Sequence, residues 1–228
     1  MKYSGRARAS AAKLIGWTLV GLLVIFFAGF LATIVSAMVT AISVSLIVVW
    51  LLFVVFTLYF FRDPEARVPA DRRVVVSPAH GKIDMIDEVD EPQFMGGRCK
   101  RISIFLSVFD VHVQNAPVAG RIAYFKYTEG KFLNALNSES ATQNENVMLG
   151  IESSERPGEK IGVKLLAGLI ARRIVPFVAV DEAIVRGQRI SLIQFGSRTD
   201  LYLPLSAQVR VQLGERAVGG ETIMAALD

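Results

Sequence analysis

The chain has 228 residues, 52% of them hydrophobic and 20% charged, with a formal net charge of +4; it is too apolar for an ordinary soluble domain and points to a membrane contribution. The positive excess gathers beside an apolar segment, so it reads as a topology signal, and nucleic acid is excluded as the expected partner. A single cysteine, Cys99, excludes an internal disulfide and suits a cytoplasmic domain.

Residues 1–13 form a basic tail carrying Lys2, Arg6, Arg8 and Lys13. From Leu14 to Phe61 there is no charged residue. At roughly 1.5 Å per residue such a run, wound as helix, exceeds twice the roughly 30 Å thickness of bilayer hydrocarbon. The expected element in 14–61 is therefore a transmembrane helical hairpin, with spans at about 14–34 and 39–60 and a turn near residues 36–40. Arg62, Arg67, Arg72 and Arg73 follow it, so both flanks are basic and both are expected on the cytoplasmic side of the inner membrane. A cleaved signal peptide would have a short apolar region ending at small residues, and this run continues far past that length.

Residues 62–228 change character. Runs such as "RRVVVSPAHGKIDMIDEV", "KRISIFLSVFDVHVQNAPVAGRIAYF" and "GQRISLIQFGSRTDLYLPLSAQVRVQLGERAVGGETIMA" are short, β-rich and punctuated by Gly, Pro, Asn and Asp. They predict one mainly β (α+β) domain, a compact sandwich or half-barrel with lipoyl-like hairpins, large enough for its own core. A true lipoyl carrier presents a lysine at the hairpin tip, and these tips offer Gly and Ser. Only "GKFLNALNSESATQNENVML" and "IGVKLLAGLIARRIVPFV" have room for helix, and the second is equally a strand. Within "IQFGSRTDLYLPL" the alternation of a strand is interrupted at Gly196 and Ser197, where a glycine marks a bulge or a close backbone approach.

The chemical inventory is small: His80 in "SPAHG", His112 in "FDVHV", and Ser197 in its Gly-Ser break. His80, His112 and Cys99 lack the close spacing of a structural zinc site, so no metal is expected. "FGSR" is not the G-x-S-x-G elbow of a serine hydrolase.

Six blocks, "FFRDPEARVP", "VVVSPAHGKI", "SIFLSVFDVHVQNAPVAG", "YTEGKFLNA", "ARRIV" and "FGSRTDLYLP", stand in the order and spacing of the short, membrane-anchored class of phosphatidylserine decarboxylases. The chain resembles that family along its whole length. The resemblance implies self-cleavage between Gly196 and Ser197 into a large chain (1–196) and a small chain (197–228). Ser197 would attack the Gly196 carbonyl, and the ester would break by β-elimination to leave a pyruvoyl cofactor on the small chain. That group would form a Schiff base with phosphatidylserine and act as electron sink for decarboxylation to phosphatidylethanolamine. The resemblance also makes His112 the proton donor or relay. Arg62, Arg172 and Arg173 are candidate ligands for the lipid headgroup, with a solvated basic face as the plain alternative.

One block departs from the family: "SPADG" is its usual form, with an aspartate that helps a histidine activate the cleavage-site serine, and here that position is His80. Asp84, Asp87 or Asp110 could supply the missing carboxylate, or His80 could itself be the base. "HVQNAP" also departs, since the short class more often has Asn-Arg after the valine. An unprocessed proenzyme and a membrane-tethered lipid-binding β module stay open as alternative readings. Exposed β edges make a homodimer plausible.

Overall fold

In a computed structural model of the chain, residues 6–130, 144–168, 173–194 and 197–227 are described. The chain divides into two units, Met1–Thr57 and Leu58–Asp228.

The first unit is carried by one helix, α1 (Arg6–Phe60). Its residues 12–53 are exposed on every face, and a helix that is apolar all round has no water-facing side. Five of its hydroxyls are turned onto the backbone: Thr18, Thr33, Thr40, Ser45 and Thr57 donate to carbonyls three or four residues back, at 2.7–2.9 Å. The structure differs here from the two helices and turn expected near residues 36–40. The helix runs straight through that stretch, with Thr40 Oγ1 bonded to Ser36 O at 2.9 Å. The local chemistry explains it: no Gly or Pro stands between Gly29 and Pro64 to end a helix.

The second unit is mainly β, as the periodicity predicts. Its strands are β1 (Val74–Val76), β2 (Gly81–Glu91), β3 (Gly97–Leu106), β4 (Val113–Asn115) and β5 (Gly120–Thr128). They continue with β6 (Asn146–Ser153), β7 (Lys160–Ala167), β8 (Arg173–Pro176), β9 (Ala183–Ile184) and β10 (Arg189–Gln194). Last come β11 (Ser197–Leu203), β12 (Gln208–Val209), β13 (Arg216–Ala217) and β14 (Ile223–Ala226). An eight-stranded sheet has the order β13-β2-β3-β11-β7-β6-β5-β9, and two three-stranded sheets have the orders β4-β10-β8 and β1-β14-β12. Of the two runs with room for helix, the second forms β7 and β8, its Ile161, Val163, Leu165 and Ala167 alternating into the core. Most of the first, 131–143, lies outside the described residues, and its end enters β6.

The large sheet turns Ile102, Ile104 and Leu106 of β3, Leu201 and Leu203 of β11, and Val147, Leu149 and Ile151 of β6 to one face. They form a single cluster with Ile174, Ile190 and Ile193 of the β4-β10-β8 sheet. Burying each such side chain contributes roughly 1.5–3 kcal/mol. The opposite face of the large sheet is polar at its centre, where Asp200 lies in register with Ser103 on one side and Lys164 on the other.

The break in "IQFGSR" is a change of sheet. β10 ends at Gln194 in the small sheet and β11 starts at Ser197 in the large one. The same change occurs between β3 and β4, and between β7 and β8. The three crossings lie side by side. Ser197 pairs with both Leu106 and Ala167, while across the gap Gln194 pairs with Arg173 and Leu192 with Val113.

Candidate active site

Ser197 opens β11 between two strands, so its backbone is held on both sides. Its side chain is fully buried, and Oγ has no hydrogen-bond partner among the described residues. A buried, unpaired hydroxyl costs about 1–3 kcal/mol, so packing alone does not account for a serine there. Gly196, the expected cleavage partner, and Arg172 lie outside the described residues. Arg198, next along the chain, is buried and ion-paired to Asp84 of β2, which fixes the start of the strand from its other face.

The segment between β3 and β4 is fastened by the strands on either side of the Ser197 crossing. Leu106 pairs with Ser197, and the amide of Ile193 donates to the His112 carbonyl at 3.1 Å. Between these ends Asp110 folds the loop on itself: its Oδ2 accepts from the Ser107 amide at 2.8 Å and the Ser107 hydroxyl at 2.7 Å, and its Oδ1 from Arg216. His112 is fully buried, with Nδ1 2.9 Å from the Asp110 carbonyl. A carbonyl only accepts, so Nδ1 carries the hydrogen and Nε2 the lone pair. The Phe60 ring lies against the imidazole with centroids 4.3 Å apart. Burial pushes the His112 pKa down to about 4; Arg62 acts in the same sense, and the backbone bond and charge of Asp110 oppose it. The imidazole is therefore neutral near pH 7.

His80 reaches the same neighbourhood from "SPAHG". Ser77 Oγ donates to the Ala79 carbonyl at 2.7 Å and the Asn115 amide donates to Pro78 at 2.9 Å, so the turn before His80 is tied to β4. The glycine after it permits a close crossing: a Cβ on Gly81 would sit 2.2 Å from the Phe105 carbonyl oxygen. A Cβ on Gly219 would in turn lie 2.7 Å from Asn115 Oδ1 and 3.0 Å from His80 Nε2. Burial lowers the pKa of the half-buried His80, as does Arg62, against the pull of Asp110, Glu221 and Asp63.

Arg62 therefore stands beside both imidazoles, but its guanidinium is engaged with backbone. It donates to Tyr59 O at 2.9 Å, capping the end of α1, and to Phe109 O at 2.6 Å. Arg173 is exposed at the start of β8, opposite Gln194. All three carboxylates that could stand in for the aspartate are ion-paired, Asp84 to Arg198, Asp87 to Arg101 and Asp110 to Arg216; of the three, Asp110 is the one beside both histidines. Sequence reasoning missed Phe60 and Asn115. The only available signal for Phe60 was its place at the end of the apolar run, and Asn115 appeared only as a departure from a motif.

The sequence profile of the family described as "Phosphatidylserine decarboxylase" matches residues 53–225. The phosphatidylserine decarboxylase proenzyme of Desulfotalea psychrophila is 47% identical over 176 residues, covering 77% of this chain and 81% of the relative. That of Symbiobacterium thermophilum is 44% identical over 199 residues, covering 85% and 92%. That of Erythrobacter litoralis is 44% identical over 180 residues, covering 74% and 72%.

Proposed function

The chain belongs to the phosphatidylserine decarboxylase family, and we propose that it converts phosphatidylserine to phosphatidylethanolamine and carbon dioxide with a pyruvoyl group made from its own Ser197. The observation that carries this reading is the placement of Ser197: a fully buried hydroxyl without a partner among the described residues, at a change of sheet, on strands that also hold the loop of His112. In the proposed maturation Ser197 Oγ attacks the Gly196 carbonyl and the acyl group moves from nitrogen to oxygen. Loss of the α-proton expels the Gly196 carboxylate and leaves a dehydroalanine, whose imine tautomer takes up one water and releases ammonia. A glycine before the serine leaves the attacked carbonyl unshielded.

The pyruvoyl group supplies a ketone that accepts the electrons released as carbon dioxide leaves. The remaining work falls to the chain's own side chains. His112, neutral and with its lone pair on Nε2, is a proton acceptor and relay rather than a standing acid. Asp110 supplies the negative charge that the family aspartate would have given, and it stabilises either imidazole when protonated. His80, lined by Asn115 and Gly219, is a second neutral base. Of the candidate arginines among the described residues, Arg173 is exposed and available to the headgroup, and Arg62 holds the loop in place.

We further propose that the apolar stretch lies in the inner membrane and that the second unit faces the cytoplasm. Ala12–Phe60 is 49 residues, about 74 Å as helix at 1.5 Å per residue. In hydrocarbon about 30 Å thick, that length exceeds one crossing; two crossings place both basic flanks on one side and require the continuous α1 to open into a turn in the bilayer.

Borohydride added with excess serine phospholipid is expected to trap the substrate amine covalently on the 197–228 chain. Activity lost on stripping a diffusible pyridoxal or metal, with nothing trapped on that chain, overturns the assignment.

A further inference from the structure

Three exposed aromatic rings and one guanidinium gather where the uncharged segment ends, Tyr59 and Arg62 both bonded to the Phe109 carbonyl and Phe61 lying between those two in sequence. Tyr59, Phe61 and Phe109 are 46%, 41% and 64% exposed, and Arg62 lies 4.0 Å over the Tyr59 ring. The Phe109 ring is the most exposed of them, yet its backbone is braced. Its carbonyl accepts from Arg62 at 2.6 Å and from the Tyr59 hydroxyl at 3.3 Å, and the Asp110 side chain locks the loop from within. An exposed apolar ring on a loop fixed by four hydrogen bonds, two of them to the Phe109 carbonyl, is not the product of a slack loop. Its bracing partners are Tyr59, near the end of the uncharged segment, and Arg62, the first charge after Lys13, at the kind of boundary where aromatic rings and arginines settle in a bilayer interface.

We propose that residues 107–112 are a membrane-facing loop whose Phe109 ring enters the bilayer interface beside the end of the apolar segment. The occupant of this surface is lipid. Tyr59, Phe61 and Phe109 meet the acyl-chain boundary with Arg62 at the phosphate level, and the buried His112, three residues on, is thereby held just behind the surface at which a serine headgroup arrives while its chains stay in the bilayer. This inference rests on the lipid-substrate reading above and deepens it, since it gives the face by which the substrate arrives.

The test does not depend on turnover. Cys99 is the only native cysteine; it is buried and its thiol is pushed up to about 11, so a thiol label introduced by Phe109→Cys reports alone. The control is Arg98→Cys, exposed at the far end of β3, roughly 27 Å from Leu106 at 3.4 Å per residue. In the full chain reconstituted into phosphatidylcholine and phosphatidylglycerol vesicles, the label at 109 is expected to be quenched by lipids brominated on the acyl chain. Aqueous iodide should quench it at least about threefold less than the label at 98, as for a side chain within the interface. Equal iodide quenching at the two positions overturns the proposal. So does crosslinking between two copies at 109 without quenching by brominated lipid, which assigns the surface to a second chain. Product analysis of the same vesicles with phosphatidylserine added tests the substrate reading separately.

Discussion

At the scale of single residues, the site is a set of groups whose protonation is governed by burial. His112 is the sharpest case. With a pKa near 4, the folded chain keeps it neutral where the unfolded chain, at about 6.5, takes up a proton. Its folded pKa is depressed, so its neutral burial costs nothing above pH 6.5, and stability falls as pH drops from 6.5 to 4, by up to roughly 3 kcal/mol. Chemical denaturation at pH 7 and pH 4.5 should show this loss in the native chain and less of it in His112→Gln. Removing the ring that lies against the imidazole should relax the shift: Phe60→Ala is expected to move the acid limb of kcat/KM upward, toward pH 6.5, while Phe60→Leu moves it less. An acid limb unchanged by either substitution would detach Phe60 from the imidazole's protonation. Asp110→Asn should slow self-cleavage by roughly a hundredfold or more, with partial rescue by Asp110→Glu, because an amide cannot balance an imidazolium. His80→Asp should cleave no faster than the native chain if Asp110 already fills the carboxylate's place. Time courses of the cut chain on a denaturing gel read all three. Ser197, His112 and His80 were legible because each sits in a quoted motif. Phe60 acquires its role from a partner 52 residues away, and what singles out Asp110 among the three candidate carboxylates is its approach to His80, 30 residues away, which no local spacing reveals.

At the scale of elements, the three neighbouring crossings between sheets, the Ser197 one antiparallel to the other two, matter more than any one strand. The sequence reading found the interruption before Ser197 and the alternation after it, because side-chain period is a local property. It could not find that Leu106 and Ala167 flank that serine, since pairing across 91 and 30 residues is decided by the tertiary packing. The same limit applied to "IGVKLLAGLIARRIVPFV", whose short apolar run fits helix or strand until its neighbours are known. The close crossing at the start of β2 yields a prediction. Gly81→Ala puts a Cβ 2.2 Å from a backbone oxygen, which no side-chain motion relieves, and is expected to destabilise the fold by about 1–3 kcal/mol and to displace His80. A melting temperature equal to that of the native chain would contradict that crossing.

At the scale of the whole molecule, the chain joins an apolar helix and a β unit that carries the site. The composition made the first legible and the β-rich runs the second, but the turn expected near residues 36–40 is absent from the helix. Length fixed the number of crossings expected in a bilayer, and local sequence offered nothing to mark where a helix would bend. Reporters fused at residue 1 and residue 228 are both expected to read cytoplasmic, and a periplasmic signal from the second alone would leave a single crossing. The central claim is that this chain cuts itself at Ser197 and carries its own electrophile, and the intact mass of the purified protein tests it most directly. The native chain is expected to give two masses, one for 1–196 with a free carboxylate and one for 197–228 lighter by one ammonia than the same peptide beginning with serine. Ser197→Ala should give a single uncut mass with fold stability equal to or about 1 kcal/mol above that of an uncut native chain, because the oxygen it removes is buried without a partner among the described residues. A native protein of one uncut mass that nonetheless decarboxylates phosphatidylserine would contradict the account.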